Sequence, residues 1–178
     1  MASELIVQTL KGPTSGANAN KIIVPIGHTL DVSAGTFTPS AGQVIQAKKT
    51  YANPSSEIST TSTSLVASGI QLVITPKFSD SLLFIDFNIS MVHASSSGSA
   101  IKGQMYANGS SIAAQQYHLG YQDYNTNRYS PWAFSMSYAH GTTSAITLEP
   151  YFQSVSGSSV RLVHPSGSYA LTAWEIAQ

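Results

Sequence analysis

The stretch WAFSMSYAH, Trp132 to His140, decides how the chain reads. Its large residues, Trp132, Phe134, Met136, Tyr138 and His140, fall at every second position, with Ala133, Ser135, Ser137 and Ala139 between them. Successive side chains of an extended strand point to opposite faces. A period of two therefore predicts a strand with one large, half-buried face and one small face.

The same period extends outward from it. In LFIDFNISMVH (83–93), Leu83, Ile85, Phe87, Ile89 and Met91 share a face. The opposite face begins apolar at Leu82 and Phe84 and turns polar at Asp86 and Asn88, which predicts a strand covered on both sides at one end only. In AITLEPYFQSV (145–155), Ile146, Leu148 and Phe152 line one face, and Pro150, which has no N–H to give a ladder, predicts a strand edge or a bulge. GIQLVITP, AIKGQMYANG, SVRLVH and YALTAWEIA read as further strands. ANGS (107–110) is a hairpin turn, because Asn-Gly readily takes positive φ, and VSGSSV and HPSGSY are turns. NPSSEISTTSTS (53–64) reads as an extended surface loop or an edge strand. Helical spacing is hard to find. Roughly eight or nine short, regularly spaced strands after residue 45 predict an antiparallel, jelly-roll-like β-sandwich.

Composition narrows the function classes. Of 178 residues only 9% are charged, against about 25% in an ordinary domain. The formal net charge is zero, while hydrophobic residues make up 42%. So neutral a surface attracts neither phosphates nor anionic lipid over a distance, which speaks against nucleic-acid or membrane-surface binding. The absence of cysteine removes disulfides, thiolate metal sites and cysteine nucleophiles. MASELIVQTLKG lacks the basic and apolar regions of a signal peptide, and SLLFIDFNISMV, interrupted by Asp86 and Asn88, does not read as a bilayer span.

The first 42 residues differ. Short apolar runs, ELIVQTL, KIIVPI and TLDV, alternate with turn-rich pieces and are too few to form a core alone. Domains are therefore expected at 1–42, a segment that needs a partner surface, and at 43–178, the sandwich. The apolar segment IIVPIGHTLDVSAG (22–35) must find cover between copies of the chain, and closed symmetry supplies that without leaving free sheet edges.

The motif order IIVPIGHTLDVSAG, GQVIQAKKTY, STTSTSLVASGIQLVITPKFSDSLLFIDFNISM, the YANGS hairpin and a terminal LTAWEIAQ resembles a family of fibre proteins of tailed bacteriophages, over nearly the whole chain. The resemblance implies a homotrimer on the virion surface, with an N-terminal attachment segment and interwound β neck at 1–42 and one β-sandwich per subunit. In such a neck Ile22, Val24, Ile26, Leu30 and Val32 face neighbouring chains, and Gly27 and Gly35 permit bends. Many such fibres are longer and carry an N-terminal particle-anchoring domain. A short start before the neck motif fits a short tail fibre, a separately encoded tip, or a head fibre that decorates the capsid. The implied partners are other virion proteins, tail or capsid, and a glycan or protein of the host surface.

Candidate chemistry is sparse. His28, His93, His118, His140 and His164, with Asp31, Asp80, Asp86, Asp123, Glu57, Glu149 and Glu175, fall in no nucleophile elbow, HExxH motif or phosphate-cradling loop. A catalytic role, such as glycan degradation, is disfavoured, and no cofactor is expected. His28 near a threefold axis is a possible metal or anion ligand, but axial metal sites use a His-x-His pair, which is absent here, so a turn histidine is the better reading. His93 and His140 end apolar strand faces and read as hydrogen-bonded boundary residues.

YHLGYQDYNTNRYSPW (117–132) is the unusual stretch. Tyr117, Tyr121, Asp123, Tyr124, Asn125, Asn127, Arg128 and Trp132 combine aromatic platforms with planar amides and charges, a composition suited to glycan or protein receptors. The competing reading is a loop over the sandwich with its tyrosines packed between subunits. Asp123 and Arg128 can pair across it.

Overall fold

A computed structural model of the chain describes residues 11, 13–17, 19, 22–28, 38–94, 99–113 and 129–178, and the backbone of 116–119. It divides into two units, Met1–Thr38 and Pro39–Gln178. All regular structure among the described residues is β and lies in the second unit.

Twelve strands follow in chain order: β1 (Val44–Ala52), β2 (Ile58–Thr60), β3 (Val66–Ala67), β4 (Leu72–Ile74), β5 (Leu82–Ala94), β6 (Ile101–Ala107), β7 (Ser110–Ser111), β8 (Gln116–Leu119), β9 (Tyr129–Ala139), β10 (Ile146–Ser154), β11 (Val160–Val163) and β12 (Tyr169–Ile176). The strands beyond the expected number are short, such as β3 and β7, which leave too little periodicity to read. NPSSEISTTSTS supplies β2, an edge strand beside β11.

The strands form two six-stranded antiparallel sheets. In the first, β5 pairs along its length with β9. Its other edge takes β12 and then β11, which carry β1 and β2 outside them. In the second, β10 and β6 are central, with β4 and β3 end to end beside β10, and β7 and β8 end to end beside β6. The two inner faces meet in one core. Leu83, Ile85, Phe87, Leu171 and Leu162 come from the first sheet, and Ile101, Met105, Leu148, Phe152 and Ile74 from the second. Burial of this apolar area is the main stabilising term.

Two expectations change. Met91 does not share the face of Leu83 to Ile89: the pairing with β9 shifts between Ile89 and Val92, and the extra residue reverses the alternation. Val92 is buried and Met91 only partly. Pro150 lies on a central strand rather than at an edge or bulge. It pairs with Met105 of β6 and, on its other side, accepts a hydrogen bond from Ser68 N at 3.2 Å. Its missing N–H thus faces the gap between β3 and β4, where no strand partner needs it. The hairpin at ANGS forms as expected, with φ of 49° at Asn108 and 77° at Gly109.

Candidate functional site

The unusual segment 117–132 is anchored at both ends by strands. At its start β8 pairs with β6, a strand the sequence did not suggest before Tyr129. Of Tyr117 only the backbone is described. Tyr121, Asp123, Tyr124, Asn125, Asn127 and Arg128 lie outside the described residues, as does any Asp123–Arg128 pair. Trp132, expected at a receptor surface, is instead a core residue, 2% exposed. Its indole meets Phe87 edge-on with ring centroids 5.1 Å apart and stacks near Phe134 at 5.6 Å. It also covers Gly103, where a Cβ would collide with the ring. The large face of WAFSMSYAH is inward, and Trp132 belongs to it.

The described end of the segment, Tyr129, enters a cluster on the first sheet. The register places Tyr129, His93 and Arg161 side by side on β9, β5 and β11. Val92, Ala94 and Val160 alternate with them and face the core, so these three belong to the outer face. The Tyr129 ring stacks on His93 at 4.8 Å and meets His164 edge-on at 5.0 Å. His93 is buried although it is on the outer face, covered by Tyr129 on one side and Arg161 on the other. Arg161 Nη1 is 3.3 Å from His93 Nδ1, so that nitrogen acts as acceptor. Arg161 also pairs with Glu57 through Nε. His164 Nδ1 accepts from Ser166 N at 3.1 Å within the HPSG turn.

This cluster fixes where the aromatic-amide segment returns to the sheet. It presents the ring of Tyr129 and a guanidinium paired with a carboxylate. The sequence did not point to it, since Tyr129, His93, Arg161 and Glu57 are brought together only by register. Among the described residues no group of three His, Asp or Glu side chains is placed to hold a metal ion.

Three of the carboxylates the sequence offered, Glu175, Glu149 and Asp86, are hydrogen-bonded to separate sets of partners. Glu175 is fully buried on β12. One oxygen accepts from Lys77 N (2.7 Å), Phe78 N (3.0 Å) and Ser81 Oγ (2.7 Å), and the other from Gln46 Nε2 (2.6 Å). Burial by itself would raise its pKa; the hydrogen bonds from Ser81, Gln46, Phe78 and Lys77 outweigh that and hold the carboxyl below its ordinary value. Glu149 accepts from Gly69 N (2.7 Å) and Gln71 Nε2 (2.9 Å), bracing the break between β3 and β4. Asp86 accepts from Asn88 Nδ2 at 2.6 Å. His140 is a bonded boundary residue as expected, with Nε2 3.2 Å from Ser81 Oγ and Nδ1 2.8 Å from Thr142 O.

In the first unit, Ile22 to His28 form no strand within the chain, with a turn at Ile26 and Gly27 closed by His28 N on Pro25 O at 3.1 Å. Gly27 has a φ of 85°, which only glycine adopts freely. Ile22, Val24 and Ile26 are 55%, 40% and 105% exposed. His28 is exposed. Leu30, Val32 and Gly35 lie outside the described residues. No described helix is long and apolar enough to cross a membrane.

No protein-family model and no curated protein sequence matches the chain. Solved structures do. The VP2 subviral particle of infectious bursal disease virus matches with a TM-score of 0.52 at 15% identity, over 92% of this chain and 40% of that one. This chain shares its fold with part of a viral particle protein. T=1 particles derived from infectious bursal virus give a TM-score of 0.43 at 14% identity, over 93% of this chain and 44% of that one. Dimeric latent PorU of Porphyromonas gingivalis gives 0.39 at 13%, over 79% and 14%. This chain thus spans well under half the length of each.

Proposed function

We propose that the protein is a virion structural protein: a short homotrimeric tail fibre that displays its β-sandwich for attachment to a host surface. The observation that carries this reading is the segment Ile22 to Ile26. Four large aliphatic residues in five positions stand exposed, Ile23 at 57% among them, and have no strand partner among the described residues. Apolar surface of this kind marks an interaction site, and three copies around an axis bury it. The fibre-like motif order and a fold similar to part of VP2 support a virion role. The mechanism is binding and presentation. Weak sites on three subunits, multiplied over a particle, suffice through avidity. The partners are two further copies, the virion protein at the base, and a host glycan or protein at the 117–132 segment.

A head fibre or capsid decoration protein is the second reading. The likeness to VP2, whose copies form particles, favours it. Imaging the intact particle with this chain labelled separates the two: label at the tail tip is the expected result, and label over the capsid lattice overturns the tail reading. For attachment, Tyr121→Ala with Tyr124→Ala is expected to weaken host adsorption while trimers persist. Dissociated trimers would make these tyrosines packing residues instead.

A further inference from the structure

The outer face of the first sheet changes character along its strands. The register sets Val44, Ile176 and Leu82 in one rank across β1, β12 and β5, and Trp174 beside Phe84 in the next. The third rank carries Lys49 and Asp86 with Thr172 between them. One end is thus apolar and the next rank is charged. Phe84 and Trp174 pack on each other with centroids 5.7 Å apart, yet Phe84, on central strand β5, is 36% exposed and Val44 58%. The sequence asked for cover on both sides of β5 at this end, and nothing described in the chain supplies the outer one.

We infer that this apolar end is a subunit interface occupied by a second copy of the chain. Three observations select that occupant. First, Val44 opens β1, and Gly42 N to Ala177 O (2.8 Å) and Ala177 N to Gln43 O (2.9 Å) tie the incoming chain to this end of the sheet. Each copy of the chain therefore enters its own sandwich beside this patch. Second, the patch has the make-up of an interface centre, an aromatic pair among aliphatics with its charges at the margin. Third, the marginal rank places a cation on β1 and an anion on β5, so a head-to-tail ring sets Lys49 of one copy against Asp86 of the next. The inference rests on the oligomeric reading above but adds a contact within the sandwich itself.

The chain has two tryptophans, and Trp132 is buried, so collisional quenching by iodide reports on Trp174 alone. The test is iodide quenching of the full chain across a dilution series, with mass measured by light scattering, for wild type and Phe84→Glu. The expected result is a trimer with Trp174 protected, deprotected on dissociation, and Phe84→Glu associating about thirtyfold or more weaker with unchanged far-UV dichroism. A wild-type trimer with Trp174 fully quenched overturns the interface and leaves the trimer standing. A wild-type monomer at micromolar concentration overturns both. Protection of Trp174 by an added soluble glycan, but not by self-association, assigns the patch to sugar and also overturns the inference. The wild-type quenching decides the matter even where Phe84→Glu does not fold.

Discussion

Replacing Glu175 tests whether a buried carboxylate holds the sandwich together at its β1–β12 end. In Glu175→Ala, Gln46 keeps its bond to Thr75 O and Ser81 keeps Phe78 O. The backbone N–H groups of Lys77 and Phe78 lose their acceptor. Each stranded N–H costs about 1–3 kcal/mol, so the substitution costs about 4 kcal/mol. At about 2–4 °C per kcal/mol for a chain of this size, the melting temperature falls by about 8–16 °C. Glu175→Gln retains an acceptor for both N–H groups but loses the charge and turns the bond from Gln46 Nε2 into a donor–donor contact, a cost of about 2 kcal/mol. The pH dependence carries a sign. Hydrogen bonding outweighs burial and holds the folded carboxyl below 4.5, so the unfolded chain binds the proton first as pH falls. The stabilisation is present above pH 4.5 and is lost below it as pH drops toward the folded value. Thermal melts followed by circular dichroism at fixed protomer concentration, from pH 7 down to pH 3 or so, are expected to show wild type losing stability below pH 4.5 faster than Glu175→Gln. Parallel curves, or an Ala variant within about 3 °C of wild type at pH 7, refute the reasoning.

Three further outcomes follow from the packing. Gly103→Ala places a methyl inside the indole of Trp132 and is expected to cost about 3 kcal/mol in chemical denaturation. Trp132→Ala empties the core against Phe87 and Phe134, at about 3–5 kcal/mol by the same measurement. Asn108→Ala keeps the left-handed turn without the acceptor for Thr147 N and is expected to lower stability by about 2 kcal/mol, whereas Asn108→Gly is expected to recover the backbone part of that loss.

The alternation in WAFSMSYAH and LFIDFNISMVH was enough to place β9 and β5 and their inward faces, because a strand's period is set locally by its backbone. Asn-Gly was enough for the hairpin, because positive φ is a property of those two residues. Met91 and Pro150 were misplaced for the opposite reason. A bulge depends on the partner strand's register, and a proline is tolerated centrally only when the neighbouring strand breaks opposite it. Trp132 differs: the composition around it suits a receptor surface, but its parity with Phe134 and Met136, legible in the sequence, puts it inside.

The sequence by itself determined an all-β sandwich and a chain of zero formal net charge, since these follow from period and composition. Only the tertiary structure decided which residues meet. Tyr129, His93 and Arg161, or Phe84 and Trp174, are far apart in the chain and become neighbours through register alone. A one-residue shift in any of those pairings would send each side chain to the opposite face.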